Sequence, residues 1–125
     1  MEKRVIKTIN APLAIGHYSQ AIEIDNILFT SGQSGFDPVT NTLVGPDIAS
    51  QTHQTLKNLG AILEAGGYSL ENVVKCTVFL QDIDEFSIMN TIYAQYFPNN
   101  PPARSTIQVQ LGFNARVEIE MIAMR

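Results

Sequence analysis

Residues 47–80, DIASQTHQTLKNLGAILEAGGYSLENVVKCTVFL, set a helix directly before a strand. Asp47 reads as an N-cap. Ile48, Thr52, Leu56, Leu59, Ile62 and Leu63 then recur at three- and four-residue spacing, which lays one apolar stripe along a helix. Gly66-Gly67 supplies the usual C-terminal stop. Val73–Leu80 follows with the period of a strand, and Val74, Cys76, Val78 and Leu80 are expected on one face.

Upstream of this unit the chain reads as strands and turns. Arg4–Ile9 alternates charged with β-branched residues, and Ala21–Ile24 and Ile27–Thr30 flank Asp25-Asn26 as a two-residue hairpin turn. Residues 31–46 are rich in Gly, Pro, Asp, Asn and Thr and read as a long loop. Downstream, Asp84 is expected to cap a second helix with Phe86, Met89, Tyr93, Tyr96 and Phe97 inward and Pro98 as its stop. Pro101-Pro102 leads into a strand at Ser105–Val109. A last strand runs from Arg116 to about Met124 with apolar odd positions.

The order βββ-α-β-α-ββ predicts a two-layer α/β sandwich, an α+β arrangement of two helices on one mixed sheet. The other sheet face also carries apolar side chains, and no further element remains to cover it. Another subunit is the expected cover.

Bulk properties agree with one domain over residues 1–125. A chain this long hides roughly two-thirds of its unfolded surface. It is 45% hydrophobic and 16% charged, the balance of a globular protein. Its net charge is −4, from 8 Lys+Arg against 12 Asp+Glu, and the cations are scattered. That pattern argues against nucleic acid as a partner, since phosphate binding calls for a basic patch. The apolar runs are far too short for a membrane span. With one cysteine, Cys76, and no signal-peptide core after Met1, the expected setting is the reducing cytoplasm.

Common catalytic devices are missing from the sequence. His17 and His53 are the only histidines and lie in different elements, so there is no zinc spacing and no metal is expected. Ser19 and Ser105 have no positioned histidine for a triad, and Cys76 faces a core. By residue type alone Arg104 reads as an ion pair at a strand end. Glu118 and Glu120 share one strand face and read as a solvated edge or as partners of Arg116. Gly32, just after a strand, fits a tight turn or a close approach of backbone to a ligand.

Four segments carry a resemblance. APLAIGHYSQA (11–21), SGQ (31–33), VVKCTVFL (73–80) with NTIY (90–93), and PPARST (101–106) with VEIE (117–120) together resemble the RidA family, also called the YjgF or Rid type, along essentially the whole chain. The family commonly has Pro where this chain has His17, and some members carry Cys at Thr106.

The resemblance implies a chorismate-mutase-like fold, a homotrimer with sites in the clefts between subunits, and no cofactor. It implies hydrolysis of 2-imino acids, released by pyridoxal-phosphate enzymes acting on serine and threonine, to 2-keto acids and ammonia. Arg104 would then clamp the substrate carboxylate with its planar fork. Glu120 would hold and polarise the water, kept ionised by Arg104. Tyr18 would pack on the substrate. Ser31, Gly32 and Thr106 would orient it, and Asn90 would be mainly a structural hydrogen bonder. Two other readings stand beside this one: a small-carboxylate sensor without catalysis, and a ribonuclease or translation inhibitor.

Overall fold

The computed structural model describes residues 2–125; residue 1, where the reading of the N-terminus begins, lies outside them. The elements are β1 (Arg4–Ile6), β2 (Ala21–Ile24), β3 (Ile27–Thr30), α1 (Ile48–Ala65), β4 (Val73–Leu80), α2 (Phe86–Tyr96), β5 (Ala103–Gln108) and β6 (Val117–Met124). Short 3-10 turns at Leu70–Asn72 and Ile83–Glu85 precede β4 and α2. The six strands form one sheet in the order β1-β2-β3-β6-β4-β5. Only β4 and β5 run parallel, and α2 lies between them in the chain. The predicted α/β order is observed.

Local chemistry accounts for the boundaries. Asp25 and Asn26 both adopt positive φ, 48° and 64°, as a two-residue hairpin turn between β2 and β3 demands. The Asp47 carboxylate accepts from Ser50 N at 2.9 Å and caps α1, and Gly67 at φ 84° carries the chain out of it. The buried stripe of α1 meets β6, and Leu28, Cys76, Val78, Leu80, Val117, Ile119 and Met121 complete the core.

The structure departs from the sequence reading at several element ends and at one strand face. β1 ends at Ile6 because the buried Gln20 side chain captures the next backbone groups: it accepts from Thr8 N (2.8 Å) and donates to Thr8 O (3.1 Å) and Pro12 O (2.7 Å). A bulge between Val73 and Lys75 puts Val73, not Val74, on the core face; Val74 is 44% exposed. Asp84 does not cap α2. Asp82 accepts from Asp84 N (2.9 Å) and caps the preceding 3-10 turn instead, and α2 starts at Phe86 without a side-chain cap. β5 starts two residues early at Ala103 and stops at Gln108, while β6 starts at Val117.

The face of the sheet away from the helices displays Val5, Phe29, Ile107 and Met124 as exposed side chains, as the sequence led one to expect. Among the described residues no helix is long and apolar enough to cross a membrane, and no cluster of His, Cys, Asp or Glu could hold a metal ion.

Candidate functional site

A cleft of 410 Å³ opens where the loop before β2, the segment after β3 and the loop before β6 meet. Leu13, Ile15 and Tyr18 come from the first, Gly32, Gln33, Ser34 and Phe36 from the second, and Leu111 and Phe113 from the third. Its one acidic side chain is Glu118. Ser31 fastens the first two walls together: its hydroxyl donates to Ser19 O at 2.6 Å and its N–H to Gln20 O at 2.9 Å. Gln33 and Ile119 exchange two backbone bonds of 2.9 Å, which hold the second wall against β6 beside Glu118.

Gly32 is dictated by the same approach. A Cβ there would meet Glu118 Oε2 at 2.5 Å and its Cδ at 2.8 Å. The Glu118 carboxyl is half-buried, and its pKa is raised above the ordinary range, first by burial and then by the like charge of Glu120. Glu120 lies two residues along the same face, exposed and outside the lining of the cleft. The carboxylate that the cleft encloses is therefore Glu118, not Glu120. Arg116 answers to neither; it pairs with Glu85 at 2.5 Å and reaches Asp82 at 4.0 Å.

Arg104 occupies a second, separate setting. β5 registers Arg104 against Cys76 and Thr106 against Val78, so both side chains point to the helix side of the sheet. The Arg104 guanidinium donates to Asn90 Oδ1 at 2.8 Å and lies 4.7 Å and 5.3 Å from the ring centres of Tyr93 and Phe86. Three residues of α2 thus hold the fork in place. Lys75 sits on the other face, bonded to Ser105 Oγ at 3.1 Å. Within one chain Arg104 lies on the opposite face of the sheet from Glu118 and Glu120.

Cys76 is fully buried beside these residues, and burial pushes its thiol pKa up, as packing alone would require. His17 lies exposed in the loop next to Tyr18. His53 is remote, bonded through Nδ1 to the Tyr96 hydroxyl at 2.9 Å.

The sequence reading passed over three amides that shape the cleft. Gln51 is fully buried in α1; it donates to Gly45 O (2.9 Å) and accepts from Arg116 N (2.7 Å). Asn58, two turns on, donates to Ser34 O (3.2 Å) and Phe36 O (2.9 Å). Gln81 accepts from Leu111 N at 2.6 Å. The available signal was the run of polar residues Gln51, Thr52, Thr55 and Asn58 sharing the buried side of α1. A buried amide at such a position needs backbone partners, and loops are where backbone is free.

The sequence matches the family model described as Endoribonuclease L-PSP over residues 8–125. It is 48% identical over 124 residues to the human protein named 2-iminobutanoate/2-iminopropanoate deaminase, covering 98% of this chain and 90% of the human one. A RutC family protein of Pyrococcus horikoshii is 50% identical, covering 98% of each chain. Among solved structures, RidA from an Antarctic Psychrobacter superposes with a TM-score of 0.94 at 40% identity, covering 98% of this chain and 99% of that one. Escherichia coli TdcF with bound serine gives 0.93 at 37% identity, covering 98% of both. Sequence and fold agree over nearly the whole length: the chain belongs to the endoribonuclease L-PSP family, the family of the RidA deaminases.

Proposed function

We propose that this protein is a 2-iminobutanoate/2-iminopropanoate deaminase, hydrolysing 2-imino acids to 2-keto acids and ammonia. The observation that carries the reading is Glu118: a half-buried carboxyl of raised proton affinity, enclosed in a cleft and pressed against a glycine. The human relative that bears this name is nearly half identical over almost all of the chain.

The chemistry follows from the groups at hand. The imine is protonated on nitrogen, which makes its carbon electrophilic. Glu118 accepts a proton from water as the water oxygen bonds to that carbon, giving a carbinolamine. Glu118 returns that proton to the nitrogen, the C–N bond breaks as the hydroxyl oxygen forms the carbonyl, ammonia leaves, and the hydroxyl proton passes to the Glu118 carboxylate. A carboxyl with a raised pKa suits both directions of this transfer. Arg104 binds the substrate carboxylate through its fork, aimed by Asn90. Tyr18 lies along the substrate, the backbone at Gly32 and Thr106 orients it, and Ser31 keeps the loop bearing Tyr18 in place. Glu120, the carboxylate favoured from sequence, tunes Glu118 by its charge.

Arg104 and Glu118 must then come from different copies, and the proposed assembly is a homotrimer with shared sites. The exposed apolar face formed by Val5, Phe29, Ile107 and Met124 supports such an assembly. The proposed setting remains the cytoplasm, where pyridoxal-phosphate enzymes release these imines.

Coupling a threonine dehydratase to the protein and following 2-oxobutanoate tests the activity. Acceleration over the uncatalysed rate is expected, and an unchanged rate would leave a carboxylate sensor in its place.

A further inference from the structure

Phe113 stands at the cleft in a backbone conformation that an aromatic residue rarely adopts. Its φ is 59°, and Asn114 follows at 61°. Asn tolerates the left-handed region, whereas Phe does so at a cost. The loop is fastened on both sides of it. Gln81 holds Leu111 N at 2.6 Å, Gln51 holds Arg116 N at 2.7 Å, and Ala115 N closes back on Gly112 O at 3.1 Å. The outcome is a ring that is 77% exposed, so the strain brings no packing return inside the chain. Such strain persists where something outside the chain uses the geometry.

The ring lines the same cleft as Glu118, together with Leu13, Ile15 and Leu111. The cleft as a whole measures 410 Å³, and its walls on this side are apolar. We propose that Phe113 is a specificity-determining residue, forming with Leu13 and Ile15 a subsite for the branched aliphatic side chain of a 2-imino acid such as the one derived from leucine. This rests on the imine-hydrolase reading above and adds the substrate class that the cleft prefers.

The test uses an L-amino-acid oxidase to release imines from leucine or from alanine, with semicarbazide trapping whatever the protein fails to hydrolyse. The quantity read is the ratio of kcat/KM for the leucine-derived imine to that for the alanine-derived one. The ratio should exceed one in the native protein and fall by about tenfold in Phe113→Gly, the scale of discrimination that apolar pocket contacts supply. Glycine accepts the left-handed backbone freely, so this variant keeps the loop. Phe113→Leu should retain most of the preference, and Val39→Ala, on an exposed loop outside the cleft, should leave it unmoved. A ratio indifferent to Phe113→Gly, or a loss shared equally by both substrates with dissociation of the oligomer, would overturn the subsite and make the ring an interface contact. A native protein that hydrolyses neither imine removes the enzymatic reading and the subsite with it. One that hydrolyses both, with a ratio independent of Phe113, removes the subsite alone.

Discussion

Arg104 and Glu118 stand on opposite faces of the same sheet, two strands apart. Arg104 registers with Cys76 on β4 and leans on Asn90, Tyr93 and Phe86 of α2. Glu118 registers with Phe79 and faces Gly32 on the side away from the helices. No rotamer change brings them together through the sheet between them. If both act on one substrate, two chains supply them.

That geometry makes a complementation experiment decisive. Arg104→Ala and Glu118→Gln should each be nearly inactive alone. Mixed in equal amounts and reassembled, they should regain roughly a quarter of native activity, the share of interfaces that random mixing gives both intact groups. Dehydratase-coupled assays on the mixed sample read this out. Activity no greater than the sum of the parents would place both groups' roles within one chain or remove one of them.

Glu118 and Glu120 separate by their pH behaviour. Glu118→Gln should lower kcat by about 10²- to 10⁴-fold, the usual contribution of a general acid–base group. In the native protein the acid limb of kcat/KM should lie above the ordinary carboxylate range, because burial and the Glu120 charge both favour the protonated Glu118. Glu120→Gln removes the smaller of those causes. It should shift the limb toward lower pH, leave it above the ordinary value, and keep most of the plateau rate. A dead Glu120→Gln beside an active Glu118→Gln would return the role to Glu120.

The fold was legible where residue pattern and local chemistry coincide. The hairpin at Asp25-Asn26, the Asp47 cap and the apolar stripe of α1 each follow from neighbours in sequence. Val74 was misplaced because a bulge breaks the two-residue period, and periodicity carries no sign of a bulge. β1 stopped early because Gln20, many residues away, takes its backbone partners. In the site, Gly32 was legible from its setting just after a strand, whereas Arg104 read by type alone as an ion pair and was singled out only by the PPARST resemblance. The sequence pattern does not separate Glu118 from Glu120, since both point to one face, and it was the resemblance alone that favoured Glu120. Only the fold of the Gly32 segment over β6 encloses one and leaves the other in solvent.

A second titrating group governs stability away from the cleft. Glu23 accepts from Arg4 Nε at 2.9 Å and from the Tyr68 hydroxyl at 2.5 Å, with Arg125 at 3.4 Å. These partners, Arg4 foremost, lower its pKa to about 2 from 4.5. A depressed carboxylate stabilises the folded chain above its unfolded pKa and loses that contribution as pH falls through the folded value. Native Tm should therefore drop between about pH 5 and 2, and Glu23→Gln should show a shallower drop with a lower Tm near neutrality. Parallel curves for the two proteins would mean that solvent screens the network away.

Gly32→Ala tests how closely the Glu118 carboxylate must be placed. Gly32 has no left-handed backbone, so alanine is conformationally acceptable there and the cost is purely one of space. The added methyl would fall 2.5 Å from Oε2 and 3.0 Å from Cγ of Glu118. The far end of a side chain yields more readily than backbone, so the carboxylate should swing aside while the sheet remains intact. Misplacing a catalytic group by about 1 Å costs on the order of 100-fold in rate. The expected result is a fall of that order in kcat with a Tm within a few degrees of native. Displacement also exposes the carboxyl, so the acid limb should move down toward the ordinary carboxylate range. Gly32→Ser should behave alike, since its Cβ occupies the same space. If Gly32→Ala kept native kcat and an unshifted limb, Glu118 would have room to act from elsewhere, and its contact with Gly32 would be packing alone.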